Sequence, residues 1–477
     1  MERRLSTGIT GLDEVLYGGF LPERAYLIRG TPGAGKTILG LHFLLEGVKN
    51  NEPVLFITLS ESEKSIRSNA ERLNLPINGL TILDLSPESE FFIKVESYDI
   101  FSPAEVEREP ITKKIVEEVE RLKPKRVFID SMTQFRYLAT DVYQFRRQSL
   151  SFLRFLKEKE ATVLFTSENS PEAPDEDLQF LCDGIIELNV DLEKGRTLKV
   201  LKFRGSNFRT GRHSYKITDN GMVVFPKILP EEKSFEHKRE VISSGILQLD
   251  EMLKGGIERG TVTIITGPSG VGKTTLGAQF VKEASVRGEN SCIYFFEENP
   301  DIFIQRCESI GMPVKAMLKK GTLKIQRVEP LIYTADEFAH QVRKDVEGIG
   351  ARVVMIDSVG GYKISLKGED LAASLHSLSR YFADSGVTVI LSNETETIAG
   401  EFKPTEQGIS FIADNIIFLR YLEIKGELKK AIGVLKKRLS DFEKTLREFE
   451  ITSNGIIIGQ PLTKLRGILK GIPDLMD

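Results

Sequence analysis

The sequence contains 477 residues, 40% of them hydrophobic and 28% charged, which is typical of a folded globular protein and excludes a disordered chain. Because single hydrophobic cores stop growing well below this length, we expect two domains. A formal net charge of −4 argues against sequence-independent nucleic-acid binding by the whole surface but leaves a local basic groove open.

The N-terminus, MERRLSTGIT, lacks the apolar run of a signal peptide, and no part of the chain approaches about 18 consecutive apolar residues. We therefore expect a cytoplasmic protein without a membrane span. Three cysteines, Cys182, Cys292 and Cys307, form no CxxC pair. Their spacing predicts reduced thiols in ordinary packing rather than a metal or redox site.

The first half of the chain alternates short apolar runs with amphipathic stretches. Strands are predicted at 25–30, 53–60, 126–131 and 161–168, and helices at 33–49 and 111–122. This alternation indicates an α/β fold with a mostly parallel sheet covered on both faces. The later segments at 199–203, 213–217 and 222–225 predict an appended antiparallel hairpin and edge.

A glycine-rich stretch, GTPGAGKTI at 30–38, follows the first predicted strand and opens a helix. Glycines let backbone N–H groups face phosphates, and the helix N-terminus adds partial positive charge. The lysine reaches the β- and γ-phosphates, and the hydroxyl holds Mg²⁺. A chance glycine turn is the alternative, and the strand and helix context argues against it. The predicted nucleotide-binding residues are Gly30, Thr31, Pro32, Gly33, Ala34, Gly35, Lys36 and Thr37.

Two acidic positions at predicted strand ends complete this first site. Asp130 ends the run RVFID and is predicted, together with Thr37, to orient the magnesium ion, although a lone Asp there is usually a strand-end cap. Glu61 follows LFITLS and is the candidate general base for the group that attacks the γ-phosphate. A merely solvated strand end is the alternative for Glu61.

The second half of the chain repeats the first. STGITGLDEVLYGG at 6–19 aligns without gaps with SSGILQLDEMLKGG at 243–256, and the later matched blocks keep their order. We therefore predict two homologous domains, 1–230 and 241–477, joined by a polar linker at 231–240. An edge strand or cap of the first domain is the alternative for the linker.

The second copy carries the same loop, GPSGVGKTT, before a helix. Thr274 and Asp357, the last residue of VVMID, are its predicted magnesium-associated residues. The predicted nucleotide-binding residues are Gly267, Pro268, Ser269, Gly270, Val271, Gly272, Lys273, Thr274 and Thr275.

The two copies differ at the general-base position. The strand IYFF is followed by Glu297 and Glu298, where the first copy has Ser60 and Glu61. One carboxylate candidate is therefore missing from the first copy. We expect both loops to bind nucleotide but to turn it over unequally.

In combination, the duplicated opening motif, the two loops and the strand-end acids resemble the KaiC family of the RecA superfamily. The resemblance covers both halves nearly end to end. It implies two tandem RecA-like P-loop domains, ATP hydrolysis, autokinase activity and a two-tiered hexameric ring with ATP between neighbouring subunits. It also implies that Lys202, Arg204, Lys436 and Arg438 reach the γ-phosphate held by the adjacent subunit. A solvated strand face is the alternative for these four cations.

The same resemblance implies an autophosphorylation segment in the second half, where the family carries adjacent Ser and Thr. The aligned residues here are Ser410 and Phe411, so one acceptor remains; Thr405 is a weaker candidate. A hydroxyl that only packs beside a subunit boundary is the alternative for Ser410. The resemblance also implies a protein partner, but after TKLRGILKGIPDLMD the sequence does not continue into the tail that meets the activating partner in the family, so we do not expect a partner-driven rhythm.

A DNA-handling recombinase or helicase is the main rival function. The run RGSNFRTGRH at 204–213 is basic and contains a phenylalanine, as a strand-binding surface would. Its aromatic content is one residue and the whole chain is acidic, so nucleic-acid binding is not expected. A binding module with inactive sites is disfavoured, because every phosphate-contacting residue type is present in both loops.

Overall fold

The computed structural model describes residues 3–89, 108–137, 139, 141–168, 174–192, 194–228, 240–367, 370–395, 408–424, 426–463, 465–466 and 474–475. The chain divides into two compact units, Met1–Lys227 and Ile228–Asp477. Of the predicted linker at 231–240, all but Glu240 lies outside the described residues.

The first unit is built on a nine-stranded sheet. Its strands are β1 (Ala25–Gly30), β2 (Val54–Thr58), β3 (Thr81–Asp84), β4 (Arg126–Asp130), β5 (Thr162–Glu168), β6 (Gly184–Asp191), β7 (Gly195–Phe203), β8 (His213–Thr218) and β9 (Gly221–Phe225). They are ordered β3-β2-β4-β5-β1-β6-β7-β8-β9. Pairing from β3 to β6 is parallel, and pairing from β6 to β9 is antiparallel.

Helices connect the parallel strands of the first unit. They span Leu12–Val15, Lys36–Lys49, Glu63–Arg72, Arg108–Leu122, Thr133–Tyr137, Val142–Glu158 and Glu176–Leu181. The helix predicted at 33–49 begins at Lys36, because Gly33 and Gly35 adopt positive φ angles of 75° and 90° that a right-handed helix excludes. The Asp141 side chain caps another helix by accepting a hydrogen bond from the Gln144 N–H.

The second unit repeats this architecture. Its strands are β10 (Val241–Ile242), β11 (Ile257–Glu258), β12 (Val262–Gly267), β13 (Asn290–Phe295), β14 (Leu323–Arg327), β15 (Ala351–Asp357), β16 (Thr388–Glu394), β17 (Asn415–Ile424), β18 (Glu427–Lys437), β19 (Arg447–Thr452), β20 (Gly455–Pro461), β21 (Leu465–Arg466) and β22 (Asp474–Leu475). Its nine-stranded sheet is ordered β14-β13-β15-β16-β12-β17-β18-β19-β20, and β10-β11 and β21-β22 form separate pairs.

α-Helices also connect the strands of the second unit. They span Leu247–Met252, Lys273–Val286, Pro300–Ser309, Val314–Lys320, Ala335–Ile349, Val359–Ser365 and Leu371–Asp384, and a short 3₁₀ helix spans Ile409–Phe411. Thr334 and Glu337 form a capping box at the start of Ala335–Ile349. No helix within the described ranges is both long and apolar enough to cross a membrane.

Side chains from each sheet enter cores on both of its faces. In β2, Leu55 and Ile57 join one buried cluster while Val54 and Phe56 join the other. This alternation follows from the two-residue period of a strand and explains why the central strands are apolar throughout. The predicted α/β class, with two tandem, mostly parallel sheets and an antiparallel extension, is confirmed.

Two strands of the first unit were not predicted, β3 and β6. The omission of β6 matters, because it pairs in parallel with β1 and antiparallel with β7 and so joins the two parts of the sheet. Its sequence, GIIELNVD, has adjacent apolar side chains only at Ile185 and Ile186, because Glu187, Asn189 and Asp191 interrupt the rest.

All three cysteines are buried free thiols. Burial raises the pKa of Cys182 and Cys292 to about 11 and that of Cys307 to about 12. Among the residues described, no group of three or more His, Cys, Asp or Glu side chains is placed to hold a metal ion. The thiols therefore contribute packing.

Gly40→Ala is expected to destabilise the first unit by about 1–3 kcal/mol through overpacking. An added Cβ would lie 2.2 Å from Cζ of the buried Phe128 ring. The matched change, Gly277→Ala, places a Cβ 2.7 Å from the Met355 methyl, which a flexible thioether relieves more easily. Calorimetry should show a larger fall in transition temperature for Gly40→Ala, and equal shifts would contradict this packing argument.

Candidate active sites

The first glycine loop joins the end of β1 to the helix Lys36–Lys49. Two of its carbonyls accept hydrogen bonds from side chains on β7 and β8. The Tyr215 hydroxyl donates to Ala34 O at 2.6 Å, and Arg196 donates to Gly33 O at 2.8 Å. Lys36 Nζ donates to Gly30 O at 2.7 Å. The loop is therefore shaped and its ammonium group positioned by the protein alone.

Burial lowers the pKa of Lys36 from its ordinary value, while the Asp130 and Glu168 carboxylates oppose that shift. A partly desolvated ammonium group interacts more strongly with an incoming anion than one in bulk water. The loop lysine is thus suited to bind a phosphate.

The strand-end carboxylate Asp130 lies against the loop. Thr37 Oγ1 donates to its Oδ2 at 2.6 Å, and Thr166 Oγ1 donates to its Oδ1 at 2.5 Å. A hydroxyl and a carboxylate at this distance are the oxygen ligands that Mg²⁺ uses beside a nucleotide. The residues therefore fit the predicted metal, with Thr166 fixing the carboxylate from the neighbouring strand.

The second loop has the same construction. Lys273 Nζ donates to Pro268 O at 2.8 Å, and Thr274 Oγ1 donates to Asp357 Oδ2 at 2.6 Å. The Ser392 hydroxyl donates to the other oxygen of Asp357. One further carboxylate, Glu394, lies 3.8 Å from Lys273 Nζ.

A cavity of about 390 Å³ opens beside this second loop. It is lined by Lys273, Asp357 and both predicted carboxylates, Glu297 and Glu298. Most of its lining residues are polar or charged, which suits a charged ligand. The structure therefore brings the separately predicted parts of the second site together.

The two carboxylates of this cavity have different environments. Glu297 Oε1 accepts a hydrogen bond from Ser358 Oγ at 2.9 Å, next to Asp357. Glu298 Oε2 accepts from Arg306 at 2.9 Å. Burial raises the pKa of Glu298, Arg306 opposes the shift, and Asp357 adds to it. A carboxylate with a raised pKa is a stronger proton acceptor.

The first site lacks this arrangement. The Glu61 carboxylate accepts from Asn69 Nδ2 at 2.7 Å and from the Ser65 hydroxyl, both on the following helix. Ser60 occupies the position of Glu297. Ser131, the counterpart of Ser358, has a buried hydroxyl with no partner among the described residues. The orphaned hydroxyl is what remains when the glutamate of a Ser–Glu pair is absent.

The four predicted cations do not lie at the loop of their own unit. Lys202 pairs with Ile185, which pairs with Leu27 on β1, whereas the loop begins only after Gly30. Its Nζ donates to Gln179 O at 2.8 Å. Arg204 follows β7, and its backbone N–H donates to Asp183 O. These side chains thus lie toward the amino-terminal ends of the strands, away from the loop.

The two predicted cations of the second unit also lie away from the glycine-rich loop of that unit. Lys436 pairs with Ile416, which pairs with Ile264 of β12, and its Nζ donates to Ser410 O at 2.9 Å. Arg438 donates to Asp414 Oδ1 at 3.0 Å. Ser410 is half-buried and the neighbouring Phe411 ring is exposed. Thr405 lies outside the described residues.

Several contacts of these sites were not predicted from the sequence. Thr166 and Ser392 anchor the two aspartates, Ser358 holds Glu297, and Glu394 approaches Lys273. The sequence did contain a signal for Glu394: ATVLFTSE and GVTVILSNE align in the repeat, and each of these strands ends in a glutamate. The other contacts depend on which strands are neighbours.

Two residues of the basic run at 204–213 make contacts within the first unit. Phe208 packs against the core, and Arg209 forms an ion pair with Glu14 at 2.9 Å. A phenylalanine used in packing does not offer its face for stacking on a base. The segment therefore provides little support for the rival DNA-handling function.

Comparison with known proteins places this duplicated site in a family. The family model "ATPase: KaiC" matches residues 5–228 and 242–463. The chain belongs to the KaiC family. It is therefore a family ATPase with two tandem ATPase domains, each containing one of the glycine-rich loops described above.

Individual KaiC proteins match over almost their whole length. The chain is 30% identical over 486 residues to the circadian clock oscillator protein KaiC of Parasynechococcus marenigrum, covering 99% of this chain and 93% of that protein. It is 29% identical to that of Synechococcus elongatus, covering 98% and 92%, and 29% identical to KaiC 1 of Synechocystis sp., covering 99% and 92%. The family match favours the ATPase over the DNA-handling alternative.

Proposed function

We propose that the protein binds Mg²⁺-ATP at both glycine loops and hydrolyses it, fastest at the second. The observation that carries this proposal is the repeated triad of loop lysine, helix hydroxyl and strand-end aspartate, at Lys273, Thr274 and Asp357 in the second unit. Backbone N–H groups of the loop and the helix N-terminus would bind the phosphates.

Thr37 with Asp130, and Thr274 with Asp357, are the residues that would hold the magnesium ion. When bound, such an ion neutralises charge on the β- and γ-phosphates. The lysine of each loop supplies further positive charge at the γ-phosphate. Ser392 and Thr166 keep the aspartates oriented from the neighbouring strand.

The unequal turnover follows from the carboxylates. In the second site we assign proton acceptance from the attacking water to Glu298, with Glu297 held beside it by Ser358. In the first site Glu61 is the sole predicted acceptor, because Ser60 stands where the second site has Glu297, and the Ser131 hydroxyl has no carboxylate partner among the described residues. The missing second carboxylate predicts slower hydrolysis there.

We propose that the chain assembles into a homo-hexameric ring in which each nucleotide lies between neighbours. The support is the position of Lys202, Arg204, Lys436 and Arg438 at the opposite ends of the strands from the loops of their own units. Cations that stabilise the transferring phosphoryl group must then come from another subunit. Assembly is expected to require nucleotide.

Mixed rings test this arrangement directly. In a Lys36→Ala background that silences the first site, we expect Glu298→Gln subunits, which keep nucleotide bound at the second site, and Arg438→Ala subunits each to be nearly inactive alone. Mixed in equal amounts and reassembled, they should regain activity at about one quarter of the second sites, where an intact Glu298 meets an intact neighbouring arginine. Phosphate release measures this, with unmixed samples as controls. Failure of the mixture to regain activity would contradict the shared site.

We further propose that Ser410 is an autophosphorylation acceptor. Its carbonyl receives the Lys436 hydrogen bond, so the serine lies beside the cations assigned to the neighbour's γ-phosphate. Incubation with Mg²⁺-ATP should produce a Ser410 phosphopeptide by mass spectrometry, absent in Ser410→Ala and in Lys273→Ala. An unmodified Ser410 peptide in an ATP-hydrolysing wild-type sample would reject this role.

A further inference from the structure

A second cavity, of about 400 Å³, lies in the first unit away from the phosphate loop. It opens between the helices Arg108–Leu122, Thr133–Tyr137 and Val142–Glu158. Its apolar lining is formed by Ile115, Val116, Met132, Phe135, Phe152 and Phe155. The Phe135 and Phe152 ring centroids are 5.6 Å apart, so the wall presents a pair of aromatic rings.

The duplication explains why this space is open. Aligned on β5 and β16, Ser149, which lines the cavity, corresponds to Leu375. Leu375 is buried in the core of the second unit. The smaller serine side chain leaves volume unfilled in the first unit.

The cavity also has two polar features. Ser149 is 2% exposed, and its hydroxyl has no hydrogen-bond partner among the described residues. Arg147 lines the same space and forms no ion pair with the described part of the chain. A buried hydroxyl is normally satisfied, so this one has an unused donor and acceptor.

We propose that this cavity binds a small molecule with an aromatic or branched apolar body and one anionic group. Its volume lies in the range of ligand pockets, which are mostly apolar with a few orienting polar groups. The phenyl rings contact the apolar body, the Ser149 hydroxyl donates to an acceptor, and Arg147 pairs with the anion.

The occupant would also influence the first nucleotide site, a consequence that depends on the proposed ATPase function. Met132 lines the cavity two residues after Asp130, and its backbone N–H donates to Thr166 O at 3.0 Å. Thr133 Oγ1 accepts from the Glu168 N–H at 3.0 Å. Movement of this segment reaches Asp130 and Glu168, the two carboxylates that act on the Lys36 ammonium group, so binding changes the hydrolysis rate there.

The binding test uses anilinonaphthalene sulfonate, an aromatic anion whose fluorescence rises on burial, with the full chain and no nucleotide. We expect one saturable dye site per chain. Filling the cavity with Ser149→Leu should weaken dye binding by at least about tenfold, and Arg147→Gln by about fivefold. Ser149→Ala should retain the site. The matched control, Arg154→Gln on the same helix, should leave the affinity unchanged.

Competition tests the chemical class. Phenylpropionate should displace the dye at concentrations at least about tenfold lower than its neutral amide does. Equal dye affinity in wild type and Ser149→Leu, or equal displacement by acid and amide, overturns the proposal.

In a Lys273→Ala background, phenylpropionate should change phosphate release from the first site. If phenylpropionate saturates the cavity and phosphate release from the first site is unchanged, the proposed effect of the cavity on hydrolysis is wrong. If this variant releases no phosphate even without phenylpropionate, the proposed ATPase function of the first site is wrong, and the dye-binding result is unaffected.

Discussion

Replacing Lys273 with alanine should lower ATP hydrolysis at the second site by at least about 100-fold, the scale seen when one preorganised charge-stabilising group is removed. The lysine is almost fully buried and held at the loop by Pro268 O. Burial lowers its pKa, and the Glu394, Asp357 and Glu297 carboxylates oppose that shift and favour the charged form. Alanine removes the cation and leaves the loop backbone in place.

Because the second site should account for most of the turnover, Lys273→Ala should remove most of the phosphate released, and Lys36→Ala a minor part. The double variant should release none. Lys49→Ala, at an exposed position of the first loop's helix, is the control and should behave as wild type. If the Lys273 variant keeps wild-type turnover while bound nucleotide is undiminished, the assignment of this loop is wrong.

The second large effect is expected at the paired carboxylates. In a Lys36→Ala background, Glu298→Gln should reduce hydrolysis by about 10²- to 10⁴-fold, the range for loss of a general base, while nucleotide remains bound. Glutamine preserves the shape of the side chain but cannot accept the proton. Glu297→Gln should have a smaller effect, because that residue positions the site through Ser358.

The direction in which turnover changes with pH tests the assignment of Glu298 as the base. Burial raises the pKa of Glu298, and a base must be deprotonated to act. Wild-type turnover should therefore fall as pH decreases through a value above the ordinary glutamate range, and this limb should be missing from the residual activity of Glu298→Gln. Glu61→Gln in the same background is the control, since the first site is already silent. A wild-type acid limb in Glu298→Gln would exclude Glu298 as the base.

Much of the fold could be predicted from contiguous segments. The apolar runs that became β1, β2, β4 and β5 are strands because both faces of each are covered, and that requirement appears directly in the residue pattern. By contrast, β6 has no continuous apolar run, because Glu187, Asn189 and Asp191 interrupt its apolar residues. The start of the first long helix was placed three residues early, where the glycine loop takes left-handed backbone angles.

The features of the candidate sites also fall into those that the sequence predicts and those that only the structure shows. The sequence by itself determined the duplication, the two glycine-rich loops, the strand-end aspartates and the absence of one glutamate from the first copy, because each is a pattern of neighbouring residues. Only the tertiary structure decided that Ser358 holds Glu297, that Ser131 is left unpaired, and that Lys202 and Lys436 lie away from their own loops. Those relations depend on strand order and register, which bring distant segments together without any signal in the intervening sequence.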